Sequence, residues 1–190
     1  MTDEELMHAV CNGDKSAYQI IVKQHLKSIS HYAFRLLGNQ RDTEDIAQET
    51  FFKLWINAEK WQPEKSKLST WLHRITHNLC VDYLRKNGSL GAQQSIEEGK
   101  QDMVGAQDSY EIKDDHNQQK LLLKNAVNSL PEKQRSALML CHYSGFSNKE
   151  AAEIMNVSVK ALESSISRAK RALRNQLFSA TRSQNKEMLK

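Results

Sequence analysis

The sequence predicts an all-α protein of two small helical domains joined by a flexible acidic linker, and three observations carry that expectation. Its 190 residues include only 7 Gly and 2 Pro, too few for the turns of an all-β chain. Apolar residues recur at helical spacing in two stretches, one on each side of a polar segment. Charge divides the same way: residues 1–88 hold 12 basic and 11 acidic side chains, residues 89–119 hold 2 and 7, and residues 120–190 hold 13 and 5. The middle stretch is rich in Gly, Ser, Gln and Asp and cannot bury enough surface to offset its ordering entropy. The expected organisation is a domain over 1–88, a linker over 89–118, a domain over 119–178 and a disordered tail over 179–190.

In the first domain, residues 14–37 form an amphipathic helix with Tyr18, Ile21, Val22, Leu26, Ile29 and Leu36 inward, stopped by Gly38. A second helix spans about Arg41 to Asn57. Ala47, Phe51 and Leu54 form its buried side, flanked by Ile46 and Thr50, while Asp45, Glu49, Phe52 and Ile56 line the opposite stripe with Gln48 at its edge. Two carboxylates beside an exposed Phe imply a basic, partly apolar partner; a merely solvated face explains Asp45 and Glu49 but not Phe52. A polar loop, Trp61 to Lys67, then leads to a helix starting near Thr70. Its expected buried face is Leu72, Ile75, Leu79 and Tyr83, and its outer face Thr70, Arg74, His77, Asn78, Val81 and Arg85. Arginines a few turns apart with Asn between them suit a phosphate backbone and a base edge. The loop, with Trp61, Lys65 and Lys67, has the cationic and aromatic character that holds an unstacked base, although most of each Trp ring suits core filling.

In the second domain, Leu130-Pro131 starts a helix that ends near Gly145. Ser147-Asn148-Lys149-Glu150 matches a capping box for a short helix, Asn148 to Met155. After the turn Asn156-Val157-Ser158, Ser158 caps a last helix, and Val157 and Leu162 stand at staple spacing. At about 100° per residue, Leu162, Ile166, Ala169 and Leu173 share one face and Lys160, Ser164 and Ser167 the other, with Arg168, Arg171 and Arg174 nearby. A short helix, a tight turn and a helix with a basic polar outer face is a helix-turn-helix; a plain three-helix bundle with a charged face is the alternative. Short polar side chains near the N-terminus suit base edges, and the cations further along suit phosphates. Glu163 is the odd member: it either accepts a hydrogen bond from a cytosine amino group or pairs with its helical neighbours Ser167 or Arg168.

Other classes are disfavoured. No stretch approaches 18 apolar residues, so no membrane insertion is expected. The acidic start, Met1-Thr2-Asp3-Glu4-Glu5, is unlike an export signal, and the scattered Cys11, Cys80 and Cys141 form no disulfide framework, so a cytoplasmic location is expected. No catalytic residue, cofactor or metal site is expected. His73 and His77 have the i, i+4 spacing of zinc ligands but lack a third, and the acids Asp42, Glu44, Asp45 and Glu49 of a hypothetical nuclease sit on different helix faces.

A family likeness is carried by Asp42 to Phe51 with Trp71 to Arg85, and by Leu130 to Arg135 with the stretch from Gly145 through Leu173. The first pair resembles region 2, and the second region 4, of a bacterial extracytoplasmic-function (ECF) sigma factor of the sigma-70 family. The resemblance implies an alternative sigma factor that binds core RNA polymerase and directs it to promoters. It implies that Asp45, Gln48, Glu49 and Phe52 dock on the β′ clamp coiled coil. Trp61, Lys65, Lys67, Arg74, Asn78 and Arg85 would read and open the −10 element, Asn78 and the loop holding a flipped base. Lys160, Ser164, Ser167, Arg168 and Arg171 would read the −35 duplex, the other C-terminal helices resting on the β flap. An anti-sigma factor is implied as a further partner. Many relatives carry Arg or Lys in place of Glu163, so their −35 preference does not transfer. The competing expectation is a stand-alone helix-turn-helix regulator whose first domain dimerises or senses a ligand.

Overall fold

A computed structural model describes residues 1–88 and 114–187. The first helix, α1 (Asp3–Cys11), has no counterpart in the sequence reading. Thr2 and Glu5 close a capping box, and Leu6, Met7 and Val10 bury its apolar side. Asp14 caps α2 (Lys15–Leu37) by accepting from the Ser16 and Ala17 amides at 2.7 and 3.2 Å. Gly38 ends α2 at φ 80°, a left-handed cap that costs a side-chain-bearing residue strain. Asn39 caps α3 (Gln40–Ile56) through the Asp42 amide, 2.8 Å away. A single 3-10 turn (Ala58–Lys60) and the Trp61–Lys67 loop lead into α4 (Leu68–Gly88).

α2, α3 and α4 pack on one another, with α1 across the start of α2. Their core contains Leu6, Ile21, Phe51, Leu54, Trp61 and Leu72. Between α3 and α4 the core is polar at one point. The Thr50 and Thr76 hydroxyls lie 3.2 Å apart, and each donates to the carbonyl four residues back, Ile46 and Leu72, so the buried pair is satisfied.

The second module begins at α5 (Asp114–Asn128), inside the expected linker; the rest of that linker, 89–113, lies outside the described residues. α6 (Glu132–Leu138) continues into a π-helical turn (Met139–Tyr143) before Gly145, at φ 72°, reverses the chain. α7 (Asn148–Met155) carries the expected capping box: Ser147 and Glu150 exchange side-chain-to-amide bonds of 3.2 and 2.9 Å. Ser147→Ala should lower stability by about 1 kcal/mol in urea unfolding, since α7 has only eight residues over which to recover the lost cap.

Asn156, at φ 52°, makes the turn into α8 (Val159–Glu187), and Ser158 caps it through the Ala161 amide at 3.1 Å. α8 continues to Glu187, past Ser179, where the tail was expected to begin.

The two modules are not merely tethered. α7 packs along α4, and one hydrophobic core joins Tyr32, Ala33, Leu36, Ile46 and Cys80 of the first module to Leu138, Leu140, Ile154, Leu162 and Ala169 of the second. This overturns two placements on α4. Thr70 is 1% and His77 6% exposed, although both were expected on the outer face. A helix with neighbours on two sides buries a wider stripe than one packed on a single sheet or bundle. Ile75, expected to be buried, is only partly so. Leu26 of α2 is likewise exposed rather than inward, because it borders an open groove.

Candidate functional site

Three exposed surfaces carry the residues singled out by the sequence. The first lies on α3, where Asp45, Gln48, Glu49 and Phe52 are all exposed. Phe52 is 56% exposed and Ile56 52%, while Ile46, Ala47, Thr50, Phe51 and Leu54 of the same helix are buried. Gln48 and Phe52 border a groove of about 940 Å³ between α2 and α3, whose floor includes Val22, Ala47, Phe51 and Trp55. Tyr18 meets Trp55 edge to face at 5.2 Å and closes one end. Glu49 pairs with Lys53 at 3.4 Å along the helix, an exposed pair that leaves its carboxylate accessible. An acidic ridge beside an apolar trough fits a basic amphipathic element of another protein.

The second surface runs along α4. Lys65, Arg74, Asn78 and Arg85 are exposed, and Arg85 is ion-paired with Asp82 one turn earlier. Asn78 and Arg85 line a crevice of about 400 Å³ closed on its far side by Glu132, Lys133, Asn156 and Val157 of the second module. Two members of the expected set are placed differently. Trp61 is only 8% exposed, and its indole N–H donates to the Ser66 carbonyl at 3.1 Å, so the ring belongs to the core and fastens the loop. Lys67 bonds Glu150 of α7 at 2.9 Å. That ammonium, together with the Ser147 amide and hydroxyl, holds the Glu150 carboxyl down at about 2.

The third surface is α8. Lys160, Ser164, Ser167, Arg168 and Arg171 are exposed, opposite buried Leu162, Ile166 and Ala169. The Ser164 hydroxyl donates to the Lys160 carbonyl at 2.9 Å, leaving its lone pairs outward. Glu163 makes neither of the helical pairings weighed above. Its carboxylate accepts from the Asn148 amide of α7 at 3.4 Å, a contact across the helix-turn-helix. The cationic stripe on a helix held by a capped partner is a surface for a polyanion, with side chains short enough near the N-terminus to approach base edges.

The sequence reading missed the residues between the modules. His73 stacks edge to face on Phe146 at 4.7 Å, and the Arg35 guanidinium lies 3.5 Å over the Tyr143 ring. The Tyr32 hydroxyl bonds His77 Nδ1 at 2.9 Å. The available signal was the run His73, His77 and Cys80 at helical spacing, a second stripe on α4 beside the apolar one. Burial pushes the Cys80 thiol up to about 12, with Glu132 adding to the effect, which makes it unreactive near neutral pH. No group of three or more His, Cys, Asp or Glu able to hold a metal occurs among the described residues, and no described helix is long and apolar enough to cross a membrane.

The profile for Sigma-70 region 2 matches residues 21–90, and that for Sigma-70 region 4 matches residues 120–173. The chain is 34% identical over 180 residues to the ECF RNA polymerase sigma factor SigW of Bacillus subtilis, covering 88% of this chain and 92% of that one. It is also 34% identical over 169 residues to the ECF RNA polymerase sigma factor SigE of Mycolicibacterium smegmatis; the match takes in 87% of this chain but only 64% of that relative's length. Among solved structures, the sigma factor RpoE in complex with the anti-sigma factor NepR from Bartonella quintana superposes with a TM-score of 0.65 at 26% identity, over 84% of this chain and 96% of that one. CnrH in complex with the cytosolic domain of CnrY shares the fold, with a TM-score of 0.68 at 22% identity over 93% and 97% of the two chains.

Proposed function

Since this chain belongs to the ECF group of the sigma-70 family, we propose that its three exposed surfaces divide the work of starting transcription at chosen promoters. It is an alternative sigma factor, and the stand-alone regulator is not favoured. The observation that carries the division is α8. Five polar or cationic residues, Lys160, Ser164, Ser167, Arg168 and Arg171, face outward from a helix whose other side is sealed in a core. In this reading α8 enters the major groove of the −35 element. The α3 ridge of Asp45, Gln48, Glu49 and Phe52 docks on the β′ clamp coiled coil of core polymerase, and α5 to α7 rest on the β flap. Arg74, Asn78 and Arg85, with Lys65 and Lys67, engage the −10 element. Trp61 contributes by holding the loop in place rather than by stacking on a base.

The chain performs no bond chemistry in this scheme. Contacts to duplex and single strand offset unpairing, which costs a few kcal/mol per extruded base. The polymerase raises the effective concentration of one contact once the other is made. The work is done in the cytoplasm, where the polymerase is, and an anti-sigma factor is the expected antagonist.

The test is run-off transcription from a promoter library with purified core polymerase, alongside duplex binding with and without core. Selective transcripts that require both proteins are expected. Tight recognition of a palindrome by the chain alone, with no effect on core, would overturn the reading. Within the same assay Arg168→Ala should weaken −35-dependent initiation by about 1–3 kcal/mol while core copurification is unchanged.

A further inference from the structure

The packing of the second module on α4 has a cost built into it. His73 Nδ1 lies 2.8 Å from the Ser69 carbonyl, which can only accept, so Nδ1 carries the proton and Nε2 is the bare nitrogen. That Nε2 is buried without a hydrogen-bond partner, in a residue only 2% exposed. Its cover from the second module is the Phe146 ring, 4.7 Å from the imidazole, and from the first module Tyr32, 5.7 Å away. A proton added to Nε2 would bury a charge and a donor against two aromatic rings with no acceptor.

The closed arrangement also cannot span a promoter. α8, the longest of the described helices at 29 residues, is about 44 Å long. Elements 25 base pairs apart are roughly 85 Å apart along the duplex. The crevice that holds Asn78 and Arg85 against Glu132 and Val157 must open before both elements are read.

We infer that the α4–α7 packing is an acid-released clasp, in which protonation of His73 frees Phe146 from α4 and separates the two modules. That separation uncovers the −10-reading residues rests on the function proposed above; the clasp itself does not.

The sign follows from burial. Desolvation is the largest influence on His73 and His25 a smaller one in the same direction, together holding it at about 4 against an ordinary value near 6.5, while the Ser69 carbonyl acts the other way. The closed form is therefore fully favoured above about pH 6.5 and loses that advantage as pH falls from there towards 4. Other titratable and charged groups also face this region, and burial lowers two of them, His25 and His77, in the same direction as His73. From α2 these are His25, His31, Arg35 and Tyr32; from the loop, Lys67; from α7, Glu150; and from α6, Glu132 and Arg135 beside Tyr32 and His77. Glu150, held at about 2, stays ionised throughout. Burial of Tyr32 raises its hydroxyl away from this range. Burial lowers His77 as well, with Glu132 opposing, so His77 adds a smaller response of the same sign.

The test places two fluorophores, without cysteine chemistry, at the exposed positions Lys23 and Lys170 of the full chain and counts closed and open molecules by single-molecule energy transfer. Between pH 7.5 and 5.5 the open-to-closed ratio should rise about tenfold, the factor set by values near 6.5 open and about 4 closed. His73→Phe, checked for intact helix by circular dichroism, should lose most of that rise. Phe146→Ala should be open at both pH values and flat. A constant ratio in the unmodified chain, or an undiminished rise in either variant, would overturn the clasp; Phe146→Ala decides the matter should His73→Phe not fold. Opening that follows pH while Arg74→Ala and Asn78→Ala leave promoter melting untouched would sink the assignment of the −10 surface and leave the clasp standing.

Discussion

Replacing Asp45 and Glu49 together by alanine should reduce retention of the chain by core RNA polymerase about a thousandfold. Truncating one member of a close interfacial charge pair costs about 2–5 kcal/mol, so two such losses at the lower bound give roughly three decades in Kd. Stability should hardly move. Both residues are exposed, and the ion pair lost among the described residues is Glu49 with Lys53, an exposed helical pair of the kind that contributes about 0.3–0.5 kcal/mol. The measurement is copurification with core polymerase beside a urea melt of the free chain. Unchanged retention in a correctly folded variant would remove α3 as the docking element. Loss of retention with a lowered melting midpoint would mean that the carboxylates support the fold instead. Phe52, at 56% exposure, makes an independent check, because the apolar trough beside it should respond to Phe52→Ala but not to salt.

Leu162→Ala should destabilise the chain by about 2–5 kcal/mol and remove promoter recognition without touching an exposed residue of α8. Leu162 is fully buried at the start of α8, in the core that also takes in Leu140, Ile154 and Ala151. A cavity there loosens α8 against α7 and so misaligns Lys160, Ser164 and Arg168 together. The same core reaches Tyr32, Leu36 and Cys80, so the loss should be visible in both modules as one unfolding step. Ser164→Ala, on the exposed side of the same helix, should stay within about 0.5 kcal/mol of the parent. Equal stabilities for the two variants would contradict the burial described for α8. Two separate transitions in the parent chain above about pH 6.5, where the modules are closed, would contradict the shared core.

Much of this was readable from local chemistry. The capping box at Ser147 and Glu150, the cap at Ser158 and the stop at Gly38 each need only a few neighbouring residues, and each helix end falls where those residues place it. The faces of α3 and α8 were legible for a similar reason, since each helix is buried along one stripe and period alone assigns it. α4 was misread because it has two partners. Thr70 and His77 look like surface residues by type, yet both are buried, and His77 bonds Tyr32 of α2. Trp61, expected to fill core with most of its ring while its loop holds a base, is buried, and its indole N–H donates to the Ser66 carbonyl. The first helix gives little periodic signal in the sequence, because only Leu6, Met7 and Val10 of its nine residues are buried.

Helix content, the division into two charged halves and the outward residues of α3 and α8 follow from the order of the amino acids, because caps and amphipathic periods act over one to four residues. The shared core of Tyr32, Leu36 and Cys80 with Leu138 and Leu140, the Lys67–Glu150 bond, the Glu163–Asn148 contact and the sealed imidazole of His73 follow only from tertiary structure. Each of those joins residues dozens of positions apart or on different helices. Whether they meet depends on which helix faces pack together, and no periodicity within a single helix encodes that choice.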